Sequence, residues 1–424
     1  MGKVRNIIFD FDGTLVDTAP LIVATMRAAS RELGIEERSD VEYRSTIGVR
    51  LEDVAAMLWP GNETAREQFA MTYRCKFDEL SRPLDVKCFE GVKETLAWLS
   101  DAGFFLAIAS SRNGESLREY LDMFGITGYF MEVIGGEDVT HGKPSPEPVL
   151  TILERCGWSG DETLTVGDAP VDIAMGRDAE TLTCAVIYGN GKESELRSQH
   201  PTFVISDIAA LIPLVEGVSP DLIEYVEKEI IPRYDSFDGA HRRDHARLVI
   251  RQSLRYARHI PELDKDMVYC TAAYHDLGLK HGRENHHIDS GMIVENDAFL
   301  NQIFTPEQIA VIKEAVEDHR ASGKTTPRSD YGKVVADADR FIEPETIIRR
   351  TIQYGMANYP DLDRAGHFER TLSHLKKKYG PKGYIRIWLP WSDNLERQHK
   401  LHELIADRVR LAEIFNNIFD KETE

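Results

Sequence analysis

The apolar run Asn6-Ile7-Ile8-Phe9, followed at once by Asp10-Phe11-Asp12-Gly13-Thr14, constrains this chain more than any other segment. An apolar β-prone run that stops in two acids and a glycine reads as a buried strand. It delivers carboxylates at its C-terminal end, where open α/β sheets build their sites. Acids two apart on an extended strand share a face, but a strand that ends here lets them diverge. One can then attack a phosphorus atom while the other handles the leaving-group proton. Gly13 permits the turn, and the Thr14 hydroxyl ties it down. Taken alone, the string fits an acidic turn after a core strand equally well.

Three further segments add to it. The apolar run 104–109 ends in Ser110-Ser111, hydroxyls suited to a phosphoryl oxygen. Lys143 sits in a proline-rich loop, 141–146, leading to a predicted helix from about Glu147. The run 163–166 ends in Gly167-Asp168, with Asp172 four residues on. Acids and hydroxyls with one lysine suit a hard, oxygen-loving divalent ion beside a phosphate.

The ordered set Asp10/Asp12, Ser110, Lys143 and Gly167-Asp168-x-x-x-Asp172 resembles the haloacid-dehalogenase-like (HAD) phosphatases. The resemblance is greatest to the phosphoglycolate phosphatase and β-phosphoglucomutase branch, whose helical cap follows the first motif. It implies a Rossmann-like parallel sheet core, and residues 18–88 are a suitable length for the cap. The segment Ile47-Gly48-Val49-Arg50 is expected in that cap, in reach of substrate. One departure is Ala179-Glu180, where relatives place Ala-Gly; it lies in a loop away from the chemistry. The resemblance implies that Asp10 is the nucleophile and forms an aspartyl-phosphate, while Asp12 is the general acid and base. It further implies that Ser110 and Lys143 hold the phosphoryl oxygens, and that Mg²⁺ is bound by Asp10, the backbone carbonyl of Asp12, and Asp168. Asp172 is open: a ligand, a support behind the ligands, or a helix cap.

A chain of 424 residues exceeds one ordinary core, so two or more domains are expected. A formal net charge of −20 disfavours nucleic-acid polymers and anionic membranes as partners. The five cysteines, Cys75, Cys88, Cys156, Cys184 and Cys270, are odd in number and lack C-x-x-C spacing, so they read as reduced thiols. No apolar stretch reaches membrane-spanning length, Asp10 interrupts the only apolar run near Met1, and Met1-Gly2 lacks the hydroxyl residue of a myristoylation signal. A cytoplasmic protein is expected.

Residues 211–220 contain two prolines and no clear period, and mark a boundary. Beyond them strand–helix alternation gives way to helical spacing at 221–231, 241–259, 264–277, 306–319 and 343–356. The expected organisation is α/β then all-α: a first domain over 1–212 (core 1–17 and 89–212), a linker over 213–220, and a helical domain over 221–424. The tail after about 360 is unassigned.

The second half holds His241 and His245 one turn apart, His275-Asp276 at a helix end, His286-His287, His319, and Asp337-Ala338-Asp339-Arg340. Imidazole plus carboxylate is a ligand set for a transition metal with open positions. Singly, each reads as a surface histidine or a helix-terminal acid. Together they resemble the HD-domain metal-dependent phosphohydrolases. The ligand signature falls on His245, His275, Asp276 and Asp339, and the implied ion is Mn²⁺, Fe²⁺ or Zn²⁺. Asp238-Gly-Ala-His241 and Glu317-Asp-His319-Arg-Ala-Ser look like a small bacterial HD subgroup. Asp339 is favoured over Asp337 because relatives place the ligand just before the arginine.

His287 and His319 are candidates for a second metal or for the substrate phosphate. Lys280 and Arg340 are phosphate binders or ordinary surface charge. Trp388 and Trp391 read as core or inter-helix anchors more readily than as base-stacking rings, and Lys376 to Lys378 read as a solvated face.

The expected function is a bifunctional phosphohydrolase, with a Mg²⁺-dependent phosphomonoesterase joined to HD-type hydrolysis of a phosphoester or nucleotide-like substrate. The expected partner is a small phosphorylated metabolite or nucleotide. Two alternatives stand beside it: an HD half that only binds a regulatory ligand, and a sugar phosphomutase in the first half.

Overall fold

The computed structural model describes residues 4–80, 86–237, 241–320 and 325–423. It divides into two compact units, Met1–Glu227 and Lys228–Glu424.

The first unit has strands β1 (Asn6–Phe9), β2 (Val16–Asp17), β3 (Lys87–Cys88), β4 (Phe105–Ala109), β5 (Phe130–Ile134), β6 (Thr163–Gly167), β7 (Leu182–Val186) and β8 (Phe203–Ile205). Six form one parallel sheet in the order β5-β4-β1-β6-β7-β8. All four residues of β1 are buried, as a central strand covered on both faces requires. β4 and β6 flank it on either side, so chain order reverses there, and their C-terminal ends converge on one crevice. Asp10, Ser110 and Asp168 each follow one of these three strands.

Between the antiparallel pair β2 and β3 lie four helices, α1 (Ala19–Glu32), α2 (Asp40–Arg44), α3 (Leu51–Leu58) and α4 (Glu63–Leu80). They share their own core of Ile22, Met26, Tyr43, Val54, Trp59 and Phe69, which makes them a cap. Helix α2 starts at a reciprocal cap, with Ser39 Oγ accepting Glu42 N–H at 3.3 Å and Glu42 Oε2 accepting Ser39 N–H at 2.9 Å. Helices α5 (Val92–Asp101), α6 (Gly114–Phe124), α7 (Glu147–Cys156), α8 (Pro170–Asp178), α9 (Glu193–Ser198), α10 (Leu211–Val215) and α11 (Pro220–Tyr225) complete the unit.

The 213–220 segment is not an exposed linker. All five residues of α10 are buried, Val218 is buried, and the unit runs on to Glu227. The prolines that suggested a break begin helices instead: Pro220 sits in the first turn of α11 and Pro213 in α10, where no backbone donor is missed. The predicted 221–231 helix is also interrupted. α11 stops at Tyr225 and gives way to a wide turn (Val226–Ile230) and a tight one (Ile231–Ser236) that contains Pro232.

The second unit is all helical, with α12 (Arg243–Ala257), α13 (Lys265–Tyr274), α14 (His286–Glu295), α15 (Leu300–Ile303), α16 (Pro306–Asp318) and α17 (Asp330–Asp339). Thr305 and Gln308 cap α16 reciprocally, with Pro306 at its first position. Helices α18 (Pro344–Asn358), α19 (Arg364–Tyr379), α20 (Asp393–Ala406) and α21 (Arg408–Thr423) follow. They pack around Ile348, Ile352, Leu372, Leu375, Leu401 and Phe415, so the tail after 360 belongs to this unit's core.

Lys376 and Lys377 are solvated, but Lys378 is partly buried, because it lies at the end of α19 where the chain turns inward. Trp391 is no core anchor: it is exposed and stacks on His259 at 5.4 Å. Among the described residues no helix is long and apolar enough to cross a membrane. All five cysteines are free.

Candidate active sites

In the first unit Asp10, Asp12, Ser110, Lys143, Asp168 and Asp172 are all buried in the crevice beyond β1, β4 and β6. Lys143 Nζ donates to Asp10 Oδ1 and, at 2.6 Å, to Asp172 Oδ1. Asp172 Oδ2 accepts the Ala169 N–H at 2.9 Å, so this acid both caps α8 and joins the cluster. Asp168 accepts from Thr14 Oγ1 at 3.1 Å and from Asn190 N at 2.6 Å. Gly13 has φ +94°, and a Cβ there would lie 2.2 Å from Asp168 Oδ2, so only glycine fits this turn.

Asp10, Asp168 and Asp172 each place a carboxylate oxygen within 4.8 Å of the others. Burial pushes the Asp10 carboxyl well up, Lys143 opposes this, and Asp172 and Asp168 add to it. Asp168 is pushed up to about 7 by burial and by Asp172. Burial works against the Lys143 charge, but Asp10 and Asp172 hold it protonated. One lysine does not neutralise three acids, and Asp10 Oδ2 is buried with no hydrogen-bond partner among the described residues. The donor set is all oxygen, which fits a hard divalent ion.

Sequence reasoning missed Arg112. Its guanidinium clamps Asp12, with Nε at 3.1 Å from Oδ2 and Nη2 at 2.6 Å from Oδ1, and Thr18 Oγ1 donates to Oδ1 at 2.6 Å. The rings of Phe11, Tyr120 and the cap residue Phe77 box it in at 5.0–5.7 Å. The only signal was its place two residues after Ser110. Arg50, in the expected cap segment, donates to the carbonyls of Gly136, Val139 and Thr140 at 2.6–2.8 Å, in the loop leading to Lys143.

In the second unit two triads sit side by side, and one acid, Asp276, faces the histidines of both. His245, His275 and Asp339 form the first; Asp276, His286 and His319 form the second. His245 Nε2 lies 3.2 Å from Asp339 Oδ1 and 3.3 Å from His275 Nε2. Asp276 turns Oδ2 to His275 at 3.3 Å and to His245 at 3.6 Å. Its Oδ1 faces His319 at 3.4 Å and His286 at 3.6 Å.

Local folding aims these rings. His275 and His319 end helices, His286 begins one, and the Nδ1 of each faces the carbonyl three residues back, at 2.8, 2.6 and 2.9 Å. Nδ1–H therefore donates to the backbone and Nε2 faces the centre. Burial alone would lower the His275 pKa, but Asp276 beside it raises it to about 9. His275 and His319 hold the Asp276 carboxyl well below its usual range against burial. Mixed imidazole and carboxylate donors fit a transition metal in each triad.

The second triad uses His286, not the expected His287. Successive helical residues point about 100° apart, and the tether to Arg283 selects the first of the pair. Burial pulls the His287 pKa down to about 4. Lys280 is exposed and outside both triads. Asp337 is spent on the backbone N–H groups of Trp388 and Leu389 at 2.8–3.0 Å, which leaves Asp339 to the triad. Asp238, Gly239, Ala240, Ala321 and Ser322 lie outside the described residues.

The profile of the haloacid dehalogenase-like hydrolases matches residues 7–186, and that of the HD domain matches residues 242–342. The chain is 33% identical over 215 residues to a phosphoglycolate phosphatase of Aquifex aeolicus, covering 50% of this chain and 98% of that protein. It is also 33% identical over 215 residues to the pyrophosphatase PpaX of Oceanobacillus iheyensis, covering 50% and 97%. A solved haloacid dehalogenase-like hydrolase structure from Bacteroides fragilis has 27% identity and a TM-score of 0.46, covering 50% of this chain and all of that one. The chain thus belongs to the haloacid dehalogenase-like hydrolases, as an enzyme acting on phosphoester bonds that carries an HD domain in its second half.

Proposed function

We propose that the chain is a bifunctional phosphohydrolase, with a phosphomonoesterase in the first unit and a metal-dependent phosphohydrolase in the second. The observation that carries the first half is the buried, unpartnered Oδ2 of Asp10, fixed at the end of β1 beside Lys143. This oxygen attacks phosphorus while the bond to the leaving oxygen breaks, and Asp12 gives that oxygen its proton. Asp12 then takes a proton from the water that cleaves the aspartyl-phosphate. Lys143 and Ser110 hold the non-reacting phosphoryl oxygens.

Asp10, Asp168 and the Asp12 carbonyl would hold Mg²⁺, with Asp172 behind them. The ion would supply charge neutralisation at the phosphoryl group. Arg112 lies on the Asp12 side, where the leaving group must sit, and its aromatic box suits a small leaving group that is itself anionic. The names of the two relatives, a phosphoglycolate phosphatase and a pyrophosphatase, support that substrate class and favour hydrolysis over phosphoryl return to a sugar.

In the second unit His245, His275 and Asp339 would hold one transition-metal ion and His286 and His319 another, with Asp276 shared. Such ions supply an acidified water and a polarised phosphoryl oxygen. The chain's own contribution is to fix the Nε2 of His275, His286 and His319 by backbone tethers before metal arrives. The free cysteines support a reducing, cytoplasmic setting.

The test is a phosphate-release screen of the full chain against phosphoglycolate, pyrophosphate, phosphosugars, nucleotides and cyclic nucleotides, with Mg²⁺ and then Mn²⁺. Activity that Asp10→Asn removes with Mg²⁺, beside Mn²⁺-dependent activity that it spares, is the expected result. A single activity lost altogether on that substitution rejects the bifunctional reading.

A further inference from the structure

The cap leaves and rejoins the core at β2 and β3, a ladder of two residue pairs, which is too slight to fix the angle of four helices. The segment between α2 and α3 adds contacts that do. The Gly48 carbonyl accepts from Ser111 Oγ at 2.6 Å, next to Ser110. Gly48 has φ +93°, and a Cβ there would lie 3.4 Å from Ala169 Cβ and 3.5 Å from Val171 Cγ2. The cap backbone therefore rests on the start of α8, the helix that carries Asp172.

Arg50 makes the larger contact. Its Nη1 donates to the Thr140 carbonyl at 2.8 Å, and its Nη2 to the carbonyls of Gly136 and Val139, each at 2.6 Å. Its stem lies flat on Gly142, where a Cβ would come 2.7 Å from Arg50 Nε and 2.8 Å from Cδ and Cγ. The next residue is Lys143, buried and donating to Asp10 and Asp172. The far end of the same loop is tied to the core by the Gly136 N–H, which donates to the Arg112 carbonyl at 2.8 Å.

Three carbonyls on one guanidinium are charge-assisted bonds, the strong kind, and they gather a loop that has no helix or strand of its own. Both terminal nitrogens are committed to that loop. A substrate anion would have to win Arg50 away from three acceptors, so the contact with substrate that the sequence suggests is not the one the fold provides.

We propose that Arg50 is a positioning residue: it fastens the cap over the first site and holds loop 136–142 in the shape that presents Lys143, without touching substrate. The inference rests on the phosphomonoesterase reading of the first unit and adds to it the group that couples cap closure to the phosphate cradle.

The experiment compares the full chain with Arg50→Gln and Arg50→Lys in Mg²⁺, on phosphoglycolate and on p-nitrophenyl phosphate, whose leaving group has no second anionic arm. Arg50→Gln should lower kcat at least about tenfold on both esters by the same factor, as the loss of charge-assisted contacts requires, and leave the ratio of their KM values unchanged. Arg50→Lys should recover only part of this, because a point charge cannot span the carbonyls of Gly136 and Thr140 at once. Hydrogen exchange read by mass spectrometry should be at least about tenfold faster over residues 135–143 in both variants, with β1 and α4 unchanged. Should Arg50→Gln not fold, Arg50→Lys is read in the same two ways.

Exchange over 135–143 equal to that of the parent chain overturns the proposal. So does a KM rise confined to phosphoglycolate with kcat kept, which makes Arg50 a substrate contact. Faster exchange in a chain that hydrolyses neither these esters nor any other phosphomonoester keeps the fastening role and removes the phosphomonoesterase reading instead.

Discussion

Asp10 and Asp276 are both buried acids, and their neighbours give them opposite chemistry. Asp10 faces other carboxylates and keeps one oxygen unspent, whereas Asp276 divides its two oxygens among four imidazoles. Asp10→Asn changes almost no volume, so circular dichroism should be unaltered while Mg²⁺-dependent phosphate release falls at least about 1,000-fold. Asp276→Ala removes the acid of the second triad and the carboxylate oxygen that faces His245 and His275 of the first, and elemental analysis should show loss of both ions rather than one. The residues at strand ends were legible in the sequence because an apolar run announces where its strand stops. Arg112 was not, since its partner Asp12 is 100 residues away along the chain. His286 was passed over for His287 because only the start of α14 fixes which ring turns inward.

At the scale of elements, the second site is built from helix termini. The tethers at His275, His286 and His319 orient neutral rings, but Asp276 and Asp339 next to His275 favour a proton on its Nε2 when no metal is bound. Its pKa of about 9 exceeds the unfolded value of about 6.5, so the metal-free unit gains stability from this group below pH 6.5. That gain is lost as pH rises through 9, and melting of the metal-stripped chain should show a decline over this window. Metal must displace the same proton. Calorimetric titration near pH 7.5 in buffers of different ionisation enthalpy should therefore detect about one proton released from this residue per chain. The helices themselves were readable from their apolar spacing. The interruption after Tyr225 was less so, because it depends on the backbone donor that Pro232 lacks.

At the scale of the molecule, we expect fragments 1–227 and 228–424 to fold separately, because each compact unit is long enough for its own core. Fragment 1–212 should be less stable than 1–227, since it lacks the buried Leu214, Val215, Val218, Leu222 and Ile223. Each such side chain stabilises by roughly 1.5–3 kcal/mol, so thermal melts should differ by at least about 5 °C. A change of texture near 211–220 was visible in the sequence. The end of the unit was not, because proline signals a break and a helix start alike. The central position of β1 has one more consequence, for synthesis. Asn6 bonds to Thr163, 157 residues further on, and the Asp10 N–H donates to the Val166 carbonyl. At synthesis rates of roughly 5–20 residues per second the nucleophile emerges roughly 8–30 s before the strand that seats it. Until then a nascent chain carries Asp10 but no crevice, and hydrolysis begins only when β6 has emerged and paired.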